Sequence, residues 1–294
     1  MIKVLKDLNR LDFNNAMHCL LYKFKKALKI DLTKNEKYLS IYYNYLVKYN
    51  GILLEENDKY YITNFKRLSS VLKLRKKPSS DFDVFHQVME EQEYLPVVNL
   101  YKEYFHDAQG YDLNIIDLGS NIGLTSVFFT EHFQRGRIVL VEPNLENFEV
   151  LSFNLKEKEN FEFFKIMGAV WSSNSKVKIV SDFRDKADWA FRVEESNDLN
   201  SIQAYTINDL ATKNNFEHID ILKIDIEGAE KQIFNTLVSD LEFLKKTKCI
   251  AIEIHDEFDC RKEICKILDD YGFEIINEGE LTIGINTYLV NKKS

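Results

Sequence analysis

The segment Asn114–Ser126 limits what this chain can fold into more than any other stretch. Its apolar run Ile115-Ile116 ends in Asp117, passes through Leu118-Gly119-Ser120-Asn121-Ile122-Gly123, and opens into an amphipathic stretch. Strand, glycine-bearing turn and helix, in that order, turn backbone N–H groups and a helix N-terminus toward a ligand. Gly119 and Gly123 permit close backbone approach, and Asp117 falls at the strand's carboxyl end, where open α/β sheets bind ligands. A second apolar run, Arg137–Pro143, carries Glu142 at its tip. A carboxylate there is placed to accept both ribose hydroxyls of a nucleoside. The two runs together predict a nucleoside-cofactor site.

The fingerprint G-x-G-x-x-G of dinucleotide sites is missing. Asn121 stands where its second glycine belongs, the residue that lets a pyrophosphate pack on the backbone. This argues against NAD or FAD, whereas S-adenosylmethionine carries no phosphate and tolerates a side chain there. From Asp112 onward, apolar runs alternate with helical patterns, the signature of a parallel α/β sheet. Strands are expected to end at Asp117, Glu142, Val170, Asp225 and His255, with helices near residues 122–133, 144–156, 206–214, 227–238 and 258–270. The tail, Phe273–Ile276 followed by Thr287–Val290, reads as two closing strands without a helix between them. The expected fold class is therefore α/β, with the mostly parallel sheet and closing antiparallel hairpin of Rossmann-like class I methyltransferases. A nicotinamide-binding domain would finish with another βα unit, so a dehydrogenase is the least supported enzyme class.

Residues 1–80 have a different texture. Phe13, Met17, Leu20, Leu21, Phe24 and Leu28 recur at helical spacing and predict a buried helix face. A second helix is expected across Asn35–Tyr49. Gly51–Thr63 reads as a hairpin turning at Asn57-Asp58. The expectation is a small helical, winged-helix-like module serving packing or dimerisation, because the basic, groove-entering helix of a DNA reader is absent. Lys77-Pro78-Ser79-Ser80 marks the boundary, giving domains 1–80 and 81–294, and Asp81–Phe105 reads as a helical lead-in. The run Lys66-Arg67 with Lys73–Lys77 is read as a solvated helix end, a phosphate- or RNA-contacting patch being the other reading.

With 294 residues, 45% of them hydrophobic, the chain can bury a sizeable core. The net charge of −8 argues against broad nucleic-acid binding. No apolar run is long enough to span a membrane and no signal-peptide pattern opens the chain, so a cytoplasmic protein is expected. Cys19, Cys249, Cys260 and Cys265 are spaced for neither a disulfide framework nor a zinc site.

Candidate chemistry gathers in Ile219–Glu230 and Glu253–Asp256. Lys223 and Asp225 share a strand face, and Asp225 closes a strand expected beside the cleft. Glu227 and Glu230 fall in the first turn of the next helix, where carboxylates commonly act as dipole partners. A lysine inside a strand needs a partner, which makes Lys223 a second candidate. Candidate bases are Asp225 and the group Glu253, His255 and Asp256, with His255 favoured for its near-neutral titration. His18, His86, His106, His132 and His218 are read as structural or surface residues. Asp225, Glu253, His255 and Asp256 stand where some O-methyltransferases hold Mg²⁺, but the ligand spacing is not diagnostic and no metal is expected. Trp171–Asn200 is long for a loop. It is either a lid or acceptor platform, with Arg184, Lys186, Arg192 and Trp189 facing the acceptor, or an added hairpin packing its aromatics, Phe183 and Phe191 among them.

The runs Asp117–Gly123, Val141-Glu142-Pro143-Asn144 and Leu222–Glu230 together resemble the FkbM family of S-adenosylmethionine-dependent methyltransferases, over roughly residues 82–291. The run Lys223-Ile224-Asp225-Ile226-Glu227-Gly228-Ala229-Glu230 is the most distinctive part. The resemblance implies O-methylation of hydroxyls on natural products, sugars and glycans. It implies that Asp117, Gly119 and Asn121 line the methionine end of the cofactor, that Glu142 binds the ribose, and that Gly168-Ala169 borders the adenine. Ser120, Gly123, Pro143 and Asp225 complete the implied cofactor set, and Asp225, His255 and Lys223 the catalytic one. The sulfonium donor is already activated, so the protein mainly aligns an acceptor oxygen and removes its proton. The rival readings are N-methylation, RNA methylation, and a scaffold that binds the cofactor without turnover. The acceptor is expected to be a small molecule or carbohydrate rather than nucleic acid, and a homodimer through the N-terminal module stays open.

Overall fold

A computed structural model describes residues 8–105, 112–156, 158–180, 192–196, 198 and 201–290. The chain forms two compact units, residues 1–83 and 84–294.

In the first unit the helices Phe13–Ala27 and Lys34–Lys48 precede three strands, β1 (Gly51–Glu56), β2 (Tyr60–Phe65) and β3 (Ser70–Arg75), paired as an antiparallel sheet in that order. Asp12 caps the first helix, and Thr33 with Glu36 forms a capping box on the second. Tyr42 is buried, stacks on Tyr61 with ring centroids 4.0 Å apart, and hydrogen-bonds Thr63. Two expectations fail here. The stripe Phe13, Met17, Leu20, Leu21, Phe24 and Leu28 faces outward, with Phe13 79% and Phe24 63% exposed, while Asn15 and Cys19 are the buried positions of that helix. Lys73 belongs to a third strand and not to a helix end: Leu72 and Leu74 alternate inward and the basic side chains take the other face.

The second unit opens with the helix Leu95–Tyr104 after a short π-helical turn, His86–Glu90. It is built on β4 (Leu113–Leu118), β5 (Gly136–Glu142), β6 (Phe161–Met167), β7 (Ala169–Val170), β8 (Lys176–Val180), β9 (Arg192–Glu195), β10 (Ile202–Tyr205), β11 (Ile219–Ile224), β12 (Thr247–Glu253), β13 (Phe273–Glu278) and β14 (Leu281–Asn286). Seven of these make one sheet in the order β13-β14-β12-β11-β4-β5-β6. Its strands run parallel from β12 to β6, and β14 is antiparallel to both its neighbours. This is the expected Rossmann-like methyltransferase architecture. β4 and β11 are buried at every position, as central strands covered on both faces must be. One core joins Leu118, Val141, Leu222, Ile224 and Ile252 of the sheet to Leu210, Phe234, Leu244, Ile264 and Leu268 of the helices and connections.

At the far end of the sheet from the turn, buried Asp220 accepts from the Tyr101 hydroxyl at 2.7 Å, the Asn114 N–H at 2.8 Å and the Lys248 ammonium at 2.7 Å. Three boundaries differ from expectation. The closing strand is Leu281–Asn286, and Thr287–Val290 is a helical turn. The expected helix over 227–238 shortens to Glu230–Ile233, because Glu227 and Gly228 both have positive φ. The third strand ends at Met167, and Ala169–Val170 leaves for a separate four-stranded sheet, β7-β10-β8-β9. The described part of Trp171–Asn200 is the antiparallel pair β8–β9, with the Trp171 indole donating to Glu195 at 2.9 Å. Phe183, Arg184, Lys186, Trp189 and Phe191 lie outside the described residues. Among the described residues no helix is long and apolar enough to cross a membrane.

Candidate active site

The parallel strands β6, β5, β4, β11 and β12 all end on one edge of the sheet, and that edge collects the candidate residues. Between β4 and the helix Leu124–His132 the chain turns tightly. The N–H groups of Gly119 and Ser120 both donate to the Val141 carbonyl at 3.0 Å, and the Ser120 hydroxyl donates to the Asp117 carbonyl at 2.6 Å. Gly119 has φ +71°, and a Cβ there would lie 1.7 Å from the Asp225 carbonyl oxygen. The close approach that this glycine permits is thus one by the chain's own β11, not by a ligand. Gly123 has φ +82° and starts the helix, with Leu155 against its Cα.

Glu142 reaches back across the turn. One carboxylate oxygen accepts from the Asn121 N–H at 2.8 Å and the other from the Asn144 N–H at 2.9 Å. Burial pushes this carboxyl up to about 7, against the pull of those two backbone donors. Pro143 follows it, and the Gly168 N–H donates to the Glu142 carbonyl at 3.2 Å, so Gly168 and Ala169 adjoin the same corner. Asp117 through Gly123, Glu142 and Gly168 therefore do come together at the ends of three adjacent strands.

Beneath the turn, Lys223 and Asp117 form a locked pair. Lys223 is 2% exposed and donates to the carbonyls of Gly119 at 2.6 Å and Leu118 at 3.1 Å. Its ammonium also lies 3.4 Å from Asp117 and 3.4 Å from Asp225. Burial would lower the lysine, but the carboxylates of Asp225 and Asp117 prevail and hold it above its ordinary value. Asp117 is fully buried and accepts from the Ser126 hydroxyl at 2.7 Å. Lys223 thus ties β11 to the turn, and Asp117 sits beneath the turn.

The other half of the edge is acidic. Asp225 follows β11, Glu253 ends β12, and His255 follows it. Donor atoms of these three side chains lie within 4.8 Å of one another. His255 Nδ1 stands 2.7 Å from an oxygen of Glu230, which is wholly buried, and Nε2 lies 3.2 Å from Glu227 and 3.6 Å from Glu253. Burial alone would lower the imidazole, but Glu227 and Glu230 overcome it and raise it to about 11. His255 is thus held in place between Glu227 and Glu230, which favour its protonated form. Glu227 and Glu230, read from sequence as helix-dipole partners, are the carboxylates that hold it. Their i, i+3 spacing across Gly228 was the visible signal. Burial and the neighbouring Asp225 push Glu253 up to about 8. Glu93, unmarked in the sequence, joins the group: burial raises it to about 7 against its hydrogen bond from Gln87, with Asp225 and Glu280 adding to the effect. Asp256 points away and pairs with Arg261.

The profile of the methyltransferase FkbM domain matches residues 117–275, which span every residue of this edge except Glu93 and Glu280. Methyltransferase sdnD of Sordaria araneosa is similar at 25% identity over 217 residues, covering 61% of this chain and 83% of its own. Among solved structures, the precorrin-6Y C5,15-methyltransferase of Geobacter metallireducens aligns with a TM-score of 0.35 and 12% identity, over 65% of this chain and 86% of that one. Fibrillarin of Aeropyrum pernix, solved with S-adenosyl-L-methionine, aligns with a TM-score of 0.34 and 14% identity, over 80% of this chain and 97% of that one.

Proposed function

The chain belongs to the FkbM methyltransferase family, and on that premise we propose that it is an S-adenosylmethionine-dependent O-methyltransferase acting on a hydroxyl of a sugar, glycan or other natural product. The observation that carries this reading is the pairing, on one sheet edge, of the Gly119–Gly123 turn and Glu142 with the carboxylates Asp225 and Glu253 two and three strands along from β5. Glu142 is the ribose ligand: its two oxygens already face backbone donors, and cofactor hydroxyls would add to them. Ser120, Asn121 and Gly123 border the methionine end, held in place by Asp117 and Lys223 from below. Gly168 and Ala169 border the adenine.

Methyl transfer to oxygen requires alignment of the acceptor with the sulfonium methyl and a group to take the hydroxyl proton. Asp225 and Glu253 stand at strand ends next to the turn and fill that role, with His255 positioning them. Recognition of RNA is opposed by the acidic character of this edge, where Asp225 and Glu227 would face the phosphates.

Calorimetric titration of S-adenosylmethionine and S-adenosylhomocysteine into the wild type and Glu142→Ala tests the cofactor. Micromolar binding that weakens at least tenfold in the variant supports it, and no binding to a folded wild type overturns it. A screen of hydroxyl and amine acceptors with methyl-labelled cofactor then tests the oxygen: methyl transfer to amines alone would refute O-methylation.

A further inference from the structure

The acidic half of the edge contains more than a proton acceptor needs. His255 is 3% exposed, and its Nε2 has no hydrogen-bond partner among the described residues. Glu227 Oε2, 3.2 Å away, is also without one. A buried imidazole nitrogen and a buried carboxylate oxygen left in this way are costly unless a proton or a metal ion meets them.

From this arrangement we infer a divalent metal site made by Asp225, Glu253 and His255 Nε2, with Glu227 at its margin. Three features of the geometry support it. The donor atoms of the three residues lie within 4.8 Å of one another. Metal–ligand bonds of about 2.1 Å place two donors at most about 4.2 Å apart, so closure around an ion needs only a small side-chain adjustment. His255 Nδ1, at 2.7 Å from the Glu230 oxygen, has the carboxylate partner that metal-ligating histidines use to fix their tautomer and point the other nitrogen at the ion. Finally, Asp225 and Glu253 are partly exposed while His255 and Glu230 are buried, which leaves the ion one open side toward solvent or an acceptor oxygen.

One imidazole and two carboxylates form a mixed nitrogen–oxygen set, which suits Mn²⁺, Fe²⁺ or Zn²⁺ better than an all-oxygen ion such as Mg²⁺. The site shares its strand ends with the proposed acceptor position and so deepens that reading, but its existence does not depend on turnover. An ion there would lower the pKa of a bound hydroxyl.

The test uses the full chain after treatment with chelator and titrates it with MnCl₂, followed by electron paramagnetic resonance and calorimetry. One Mn²⁺ per chain is expected, with the nitrogen coupling of an imidazole ligand in the pulsed spectrum. Asp225→Asn and Glu253→Gln should each weaken binding at least tenfold. His255→Gln should remove the nitrogen coupling, and Glu230→Gln should weaken binding by roughly 10–100-fold as an orienting residue. Because His255 and Glu230 are buried, the partly exposed Asp225→Asn, checked by circular dichroism, is the decisive variant. Absence of stoichiometric Mn²⁺ binding to the wild type, or binding unchanged in Asp225→Asn, overturns the site. Titration of S-adenosylhomocysteine into the same samples separates the two ideas. Cofactor binding without Mn²⁺ removes only the metal site, and Mn²⁺ binding without cofactor removes only the proposed function.

Discussion

Glu142→Gln should raise the stability of the free protein and lower its affinity for cofactor, and both effects should depend on pH. The wild-type carboxyl sits at about 7 in the folded chain against an ordinary 4.5, because burial disfavours its charge more than the N–H groups of Asn121 and Asn144 favour it. A carboxyl raised on folding contributes stability that is complete below its unfolded value and is lost as pH climbs through the folded one. The difference of roughly 2.5 units corresponds to about 3 kcal/mol of stability lost between about pH 4.5 and 8. Glutamine carries no charge at any of these pH values. It keeps one acceptor oxygen and sacrifices one hydrogen bond, at about 1 kcal/mol. Near pH 4, then, Glu142→Gln should be about 1 kcal/mol less stable than the wild type, near pH 5 about equal to it, and above pH 8 about 2 kcal/mol more stable.

Urea unfolding of both proteins at intervals from pH 5 to 8.5 gives this difference directly, and Glu93 and Glu253 titrate in both and cancel. In parallel, S-adenosylhomocysteine affinity should rise with pH through about 7 in the wild type and stay flat and roughly 10–100-fold weaker in the variant, given about 1.5–3 kcal/mol for hydrogen bonds to a charged acceptor. A stability difference that does not change with pH would refute the reasoning, since the carboxylate would then carry no burial cost for the cofactor to relieve.

Other variants test the scaffold. Gly119→Ala should destabilise the second unit by more than roughly 4 kcal/mol, visible as loss of the folded baseline in thermal melts, because its Cβ would meet the Asp225 carbonyl at 1.7 Å; a melting temperature within a few degrees of wild type would contradict this. Asp220→Asn should cost roughly 3–5 kcal/mol by removing the buried charge that pairs with Lys248 and lies beside His218. Burial opposes the charge of Asp220, but His218, Lys248 and Asn114 hold it down to about 2, so its contribution is present above its ordinary value of 3.8 and lost as pH falls through about 2. The gap between the acid-unfolding curves of wild type and Asp220→Asn should therefore close across that window. If residues 1–80 form a homodimer, the exposed Phe13, Phe24 and Leu28 supply its apolar face, and Phe24→Glu should convert the dimer to monomer in light scattering; a wild type that is monomeric at every concentration rejects the dimer.

What the sequence disclosed and what it hid follow one physical division. Gly119 and Gly123 are legible because the turn after β4 imposes a local rule, a positive φ that favours glycine, and Asp117 and Glu142 because their strands are plain apolar runs that end in a carboxylate. Contacts between distant segments leave no such mark. The 2.7 Å pairing of Glu230 with His255 spans 25 residues, and Glu93 joins the group from a separate helical lead-in. Periodicity misled where two structures share it. The stripe from Phe13 to Leu28 has the spacing of a buried face and yet faces outward. The run Lys73–Lys77 has charge enough to suggest a helix end, yet it begins within the strand Ser70–Arg75, whose alternation places Ser70, Leu72 and Leu74 inside. At the tail, Gly284 interrupts the alternation of Leu281–Asn286, and packs its bare Cα against Ile250 and Phe273, so the true closing strand looked weaker than the residues after it.

The two halves of the edge differ in charge, and the difference bears on the reaction. Below the turn, Lys223 is answered by Asp117 and Asp225. Beside it, Glu227, Glu230 and Glu253 gather around His255. A sulfonium donor loses its positive charge as the methyl group leaves, so uncompensated carboxylates nearby would stabilise the ground state more than the transition state and slow the transfer. A cation held by Asp225, Glu253 and His255 would offset that bias by neutralising the carboxylates, and it would lower the pKa of an acceptor hydroxyl bound to it so that the proton leaves more easily. On the proposed reading, methyl transfer to oxygen should quicken when the site is loaded, and Asp225→Asn should lose that metal-dependent increment. Equal rates with and without Mn²⁺, in a wild type shown to bind it, would disconnect the ion from the chemistry.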